Sequence, residues 1–72
     1  MFKIYGKSGC GFCERAKMLL DMKSEKYEYF DISKDAEKQS EFKSKGWITV
    51  PQIFKDSERI GGYNELKNLF GN

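Results

Sequence analysis

No histidine occurs among the 72 residues, and there are only two cysteines. A closed structural zinc site takes four ligands, usually cysteine and histidine. One copy of this chain therefore cannot complete an ordinary zinc site, and no metal is expected. No apolar run approaches the length of a membrane-spanning helix. The N-terminus lacks a basic segment followed by an apolar one, so no secretory leader is expected. An excess of one charge is missing too. Lysine and arginine total 13 against 11 aspartates and glutamates, a net charge of +2. That is too weak to imply a nucleic-acid partner, and the lysines read as a solvated face. The sequence has no repeat, low-complexity tract or linker.

What the chain does have is aromatic side chains: six phenylalanines, four tyrosines and one tryptophan. Each can bury a large area. With 39% hydrophobic and 33% charged residues, the composition is that of a soluble globular protein rather than a disordered one. The length allows one domain at most, residues 1–72. A chain this short buries only about 60% of its unfolded surface, which gives a small but sufficient core.

Residues 2–5 read as a short buried strand, and residues 6–11 as a glycine-bearing loop. From 12 to 23, Phe12, Ala16, Leu19, Leu20 and Met22 approximate a helical stripe. Residues 27–32 are rich in β-formers and read as a second strand. Ser33 or Asp35 caps a polar helix reaching about Lys45, with Ala36 and Phe42 as its few apolar contacts. Gly46 suits its end. After Thr49-Val50-Pro51 come a third strand (52–55), a turn at Asp56-Ser57 and a fourth strand (58–60). Gly61-Gly62 breaks the chain, and Asn64 is the expected N-cap of a last helix carrying Leu66, Leu69 and Phe70. The order is β-α-β-α-β-β-α, an α/β fold. The opening β-α-β unit should be parallel with a right-handed crossover, and the last two strands an antiparallel hairpin.

The two cysteines, Cys10 and Cys13, stand two residues apart where the first loop meets the first helix. A loop this short restricts the unfolded chain little, so stability is a poor reason for a bridge there. A catalytic pair in a reducing, cytoplasmic setting fits better. The thiolate is the nucleophile, and a free cysteine with a pKa of about 8.5 is only about 3% ionised at pH 7. At a pKa near 5.5, about 97% is ionised. A helix N-terminus supplies part of such a shift through its partial positive charge and free N–H groups. Lys7 adds a full cation three residues upstream. Cys10, at the loop edge, is the reachable sulfur. Cys13, inside the first turn, is the enclosed one. Cys10 is expected to attack a disulfide, and Cys13 to resolve the mixed disulfide that results.

Lys7, Cys10-Gly11-Phe12-Cys13, the run from Thr49 through Val50, Pro51, Gln52 and Ile53 to Phe54, and Ile60-Gly61-Gly62-Tyr63 together resemble the glutaredoxins of the thioredoxin superfamily. The resemblance covers nearly the whole chain, and the length is like that of the small dithiol members, bacteriophage ones included. It implies a thioredoxin-like fold with a four-stranded mixed sheet flanked by three helices. It also implies a thiol–disulfide oxidoreductase that uses glutathione as reductant and holds no tightly bound cofactor. In the family the proline matching Pro51 is cis and faces the cysteines. Thr49 and Val50 would then offer backbone groups to an extended peptide, as in strand addition. Gly62, Tyr63 and Asn64 would take the γ-glutamyl carboxylate. Asn64 brings no charge for the ligand's ammonium group, a role left to Glu65. Lys7 would meet the glycine carboxylate, and Phe12 would cover one side of the sulfurs. Lys45 and Trp47 lie near enough in sequence to frame that carboxylate, although the bulk of Trp47 points to packing.

The resemblance further implies disulfide-containing client proteins, ribonucleotide reductase among them, and a monomer. Gly11-Phe12 stands where many dithiol members carry proline and tyrosine, a change able to move the reduction potential. About 30 mV shifts a two-electron equilibrium tenfold. Two alternatives accompany this reading. One is a homodimer that bridges a [2Fe–2S] cluster through Cys10 of each chain and two glutathiones. The other is a redoxin reduced by thioredoxin reductase.

Overall fold

The computed structural model describes residues 1–71. The elements are β1 (Phe2–Gly6), α1 (Gly11–Met22), β2 (Tyr27–Asp31), α2 (Ala36–Ser44), β3 (Gln52–Lys55), β4 (Glu58–Gly61) and α3 (Tyr63–Leu69). They form one mixed sheet in the order β2-β1-β3-β4. β1 and β2 run parallel, with Ile4 opposite Tyr29. β3 is antiparallel to β1, with Ile53 opposite Ile4, and β4 closes an antiparallel hairpin with β3. The element order and strand directions are those expected from the sequence. Among the described residues, no helix is long and apolar enough to cross a membrane.

Alternation along β1 decides which helix covers which face. Phe2 and Ile4 point to one side and are 2% and 0% exposed. There they meet Ala16, Leu19 and Leu20 of α1, Ile53 of β3 and Leu66 of α3 in a single core. Side chains one residue out of phase point to the other side. On that side Tyr5 packs against Phe30, Trp47 and Phe54. Phe42, the buried residue of α2, closes this aromatic layer against Trp47. Trp47 therefore serves as packing. The Tyr5 hydroxyl reaches Glu41 on α2 at 3.1 Å. Burial, reinforced by that carboxylate, raises the Tyr5 pKa above its ordinary value.

Several boundaries differ from the sequence reading, each for a local reason. Gly6 belongs to β1, because the Ile32 N–H donates to its carbonyl and extends the ladder. Asp35, not Ser33, caps α2, its carboxylate accepting from the Lys38 N–H at 3.1 Å. Asn64 is not the N-cap of α3. Gly62 is, and the Glu65 carboxylate reaches back to the Gly62 N–H at 2.7 Å. This is half of a capping box, and it fixes the helix start without a capping side chain. Gly61 makes room for it. At φ +126° its backbone suits glycine, and a Cβ there would lie 2.7 Å from Cγ of Glu65. Four residues of the expected apolar sets are exposed: Ala36, Met22 at 77%, Phe12 at 53% and Leu69 at 47%. Their helices are covered on one side only, so part of each apolar set faces water.

Leu20 is fully buried between α1 and the sheet. Truncation to alanine removes packing that a core this small cannot replace. We expect Leu20→Ala to cost about 2–5 kcal/mol, read as a lower urea midpoint at unchanged slope.

Candidate active site

The two cysteines meet at the start of α1. Cys10 is its N-cap, with extended backbone at φ −95° and ψ 109°, and its sulfur accepts from the Cys13 N–H at 3.2 Å. The Glu14 N–H donates to the Cys10 carbonyl at 3.2 Å, which begins the helix ladder. A sulfur in the capping position thus takes the place usually held by a serine or aspartate oxygen. It sits at the positive end of the helix dipole, where a thiolate is favoured over a thiol. The two side chains are joined as a disulfide, with Cα atoms 5.2 Å apart. Cys13 is 0% exposed, while Cys10 is half-buried. The reachable and enclosed sulfurs are those expected from the sequence.

Two contacts from β2 fix the loop before Cys10. The Ser8 hydroxyl donates to the Asp31 carboxylate at 2.7 Å. Ser33 donates to the same carboxylate through both its backbone N–H and its hydroxyl. The hydroxyl of Ser33, and then that of Ser8, hold the Asp31 pKa down to about 2. The Tyr29 hydroxyl donates to the Lys7 carbonyl at 3.4 Å. Burial raises the Tyr29 pKa above its ordinary value. Gly6 permits the arrangement. A Cβ there would lie 2.5 Å from the Tyr29 hydroxyl and 2.9 Å from the Cys13 sulfur. Lys7 itself is exposed.

A cleft of about 170 Å³ opens beside the helix start. Phe12, Thr49, Val50, Pro51, Gly62, Tyr63, Asn64 and Glu65 line it. Residues chosen from three separate stretches of sequence therefore share one surface, with Lys7 outside its lining. The Phe12 ring lies 6.0 Å from that of Tyr63. The Val50–Pro51 peptide bond is cis. Gln52 holds this segment from beneath. Though only 4% exposed, it is fully engaged, donating to the Thr49 carbonyl at 3.0 Å and accepting from Arg59 Nε at 3.0 Å. Among the described residues, no cluster of histidine, cysteine or acidic side chains could hold a metal.

Sequence reasoning gave no role to Asp31, Ser8, Tyr29, Gln52 or Arg15, whose guanidinium lies 5.2 Å from the centre of the Phe12 ring. The signal for Gln52 was its place directly after the proline. Nothing local pointed to Tyr29 or Asp31, which act across 22 and 23 residues.

A methyl group at Gly6 has no free space, so Gly6→Ala should destabilise the fold by about 1–3 kcal/mol. Denaturant unfolding measures this, and alkylation of Cys13 in the reduced variant should become faster as its cover loosens. Asp31 yields a pH dependence. Its folded pKa is about 2 against an ordinary 3.8, so its contribution is complete above about pH 5 and is lost as pH falls toward 2. Stability of the wild type should therefore drop more steeply than that of Asp31→Asn across that interval, as read by urea melts at stepped pH.

The family profile described as Glutaredoxin matches residues 2–60. "Glutaredoxin 3" of Escherichia coli K12 is 43% identical over 68 residues, covering 93% of this chain and 82% of that protein. The solution structure of a glutaredoxin from Brucella melitensis superposes with a TM-score of 0.77 at 37% identity, over 96% of this chain and 76% of that one. A crystal structure of a buckwheat glutaredoxin–glutathione complex shares the fold, with a TM-score of 0.82 at 23% identity over 96% of this chain and 66% of that one. With a paired Cys10 and Cys13 at a helix start inside the matched region, the chain belongs to the glutaredoxin family of thiol–disulfide oxidoreductases.

Proposed function

We propose that this protein is a glutathione-dependent reductase of protein disulfides and of glutathione mixed disulfides. The observation that carries the reading is the unequal pair of sulfurs. Cys10 is partly exposed at the cap of α1, whereas Cys13 is sealed beneath it. The Cys10 thiolate attacks one sulfur of the client disulfide. That bond breaks, and the departing client thiolate takes a proton from water. Cys13 then gives up its proton to water and attacks the Cys10 sulfur, breaking its bond to the client, whose second thiolate is expelled and takes up a proton. The client leaves with both thiols reduced, and the Cys10–Cys13 disulfide remains. Two glutathione thiols restore the dithiol and leave as glutathione disulfide.

The cleft beside Phe12 suits a short extended peptide such as glutathione. In this reading Thr49, Val50 and Pro51 line its cysteinyl part, while Gly62, Tyr63 and Asn64 receive the γ-glutamyl end. Glu65 offers a negative charge to the ammonium group, and Lys7 meets the glycine carboxylate. The buckwheat complex supports glutathione as the ligand by likeness of fold. The protein works as a one-domain monomer in the cytoplasm, with ribonucleotide reductase among its clients.

A coupled NADPH assay tests the reading, with glutathione plus glutathione reductase in one arm and thioredoxin reductase in the other. Turnover is expected in the glutathione arm. Cys10→Ser should reduce it to background. Cys13→Ser should keep turnover of glutathione mixed disulfides and lose dithiol reduction. Alkylation of Cys10 should titrate within about pH 3.5–7.5 rather than near 8.5. Turnover in the thioredoxin-reductase arm alone would replace glutathione as the reductant.

A further inference from the structure

A second cleft, about 380 Å³, runs between α1 and α3 and is lined by Arg15, Met18, Leu19, Met22, Tyr63 and Lys67. Met18 and Met22 lie one turn apart on α1 and are 61% and 77% exposed. Phe12, at the head of the same helix, is 53% exposed. Exposed apolar side chains gathered along one groove mark a candidate interaction surface. Methionine suits such a surface, because its unbranched thioether adapts to partners of varied shape.

Charge selects the partner. The two ionised residues in the lining, Arg15 and Lys67, are both cations. Neither is in a salt bridge among the described residues. A second copy of the chain is a poor occupant, since a two-fold contact would set these cations against themselves. Tyr63 lines this groove and also the cleft beside Phe12. From Phe12 to Met22 the helix rises about 15 Å, which roughly five extended residues span.

We propose that the α1–α3 groove docks an acidic, apolar-bearing segment of the disulfide client, roughly five residues from the cysteine that Cys10 attacks. This rests on the reading that protein disulfides are substrates. The apolar side chains pack on Met18 and Met22, and the carboxylates face Arg15 and Lys67. The groove then selects among clients that the sulfur chemistry alone treats alike.

Binding of three fluorescent, cysteine-free peptides to the disulfide form tests this, read by anisotropy at low salt. One peptide combines glutamate with leucine, the second lysine with leucine, and the third glutamate with serine. The first should bind about tenfold tighter than either other, a difference of about 1.4 kcal/mol. Met18→Ser/Met22→Ser and, separately, Lys67→Glu should each remove most of that gain. Both alter exposed positions, and circular dichroism checks that each variant is folded. Equal binding of the first two peptides would overturn the proposal, as would a gain that survives both variants. So would a concentration-dependent dimer in sedimentation that Met18→Ser/Met22→Ser abolishes, because the occupant would then be a second copy. No turnover is involved, so a failure of the glutathione assay leaves this result standing by itself.

Discussion

The hydrogen bond from the Cys13 N–H to the Cys10 sulfur ties the chemistry to the fold. It makes the reacting atom the cap of α1, so the helix dipole and the unpaired N–H groups of the first turn act on that atom. The geometry holds only if α1 starts at this point. The core fixes that start from below, because Cys13, Ala16, Leu19 and Leu20 form the buried stripe of the helix. The loop fixes it from above, through Ser8 on Asp31 and Lys7 on Tyr29. A shift of one residue along the helix would move the sulfur out of the capping position and bury or expose the wrong cysteine.

The sheet separates stability from chemistry. One face carries the Phe2–Ile4–Ile53 layer under α1 and α3. The other carries the aromatic layer of Tyr5, Phe30, Trp47 and Phe54, covered by α2. The cleft lies where the segment before β3 and the turn after β4 come together beside α1. Its Thr49–Pro51 wall is held by Gln52, which stands opposite Tyr5 in the β1–β3 register. The aromatic layer braces the sheet from behind and takes up Trp47.

The surface near the cysteines is divided in charge. Glu65 brings a carboxylate to the cleft while also securing the start of α3. Arg15 and Lys67 bring cations to the neighbouring groove. Glu14, in the first turn of α1, is paired with Lys17 at 2.9 Å. That pairing moderates an anion which would otherwise oppose a thiolate on the same turn.

Local pattern determined much of this protein. The strand–loop–helix start, the C-x-x-C pair and the inequality of its sulfurs follow from spacing, because helix capping and dipole act within one turn. Strand directions followed from connection length. Tertiary structure decided the rest. Only packing shows that Asn64 yields the cap to Gly62, since the Glu65 side chain folds back into space that Gly61 leaves open. Only packing leaves Met18 and Met22 in water, since periodicity marks an apolar residue without saying whether a neighbour covers it. The Gly6–Tyr29–Cys13 crowding and the Asp31 clamp join β2 to the cysteine loop across more than twenty residues, and a contact of that range exists only once the parallel pair of β1 and β2 has formed.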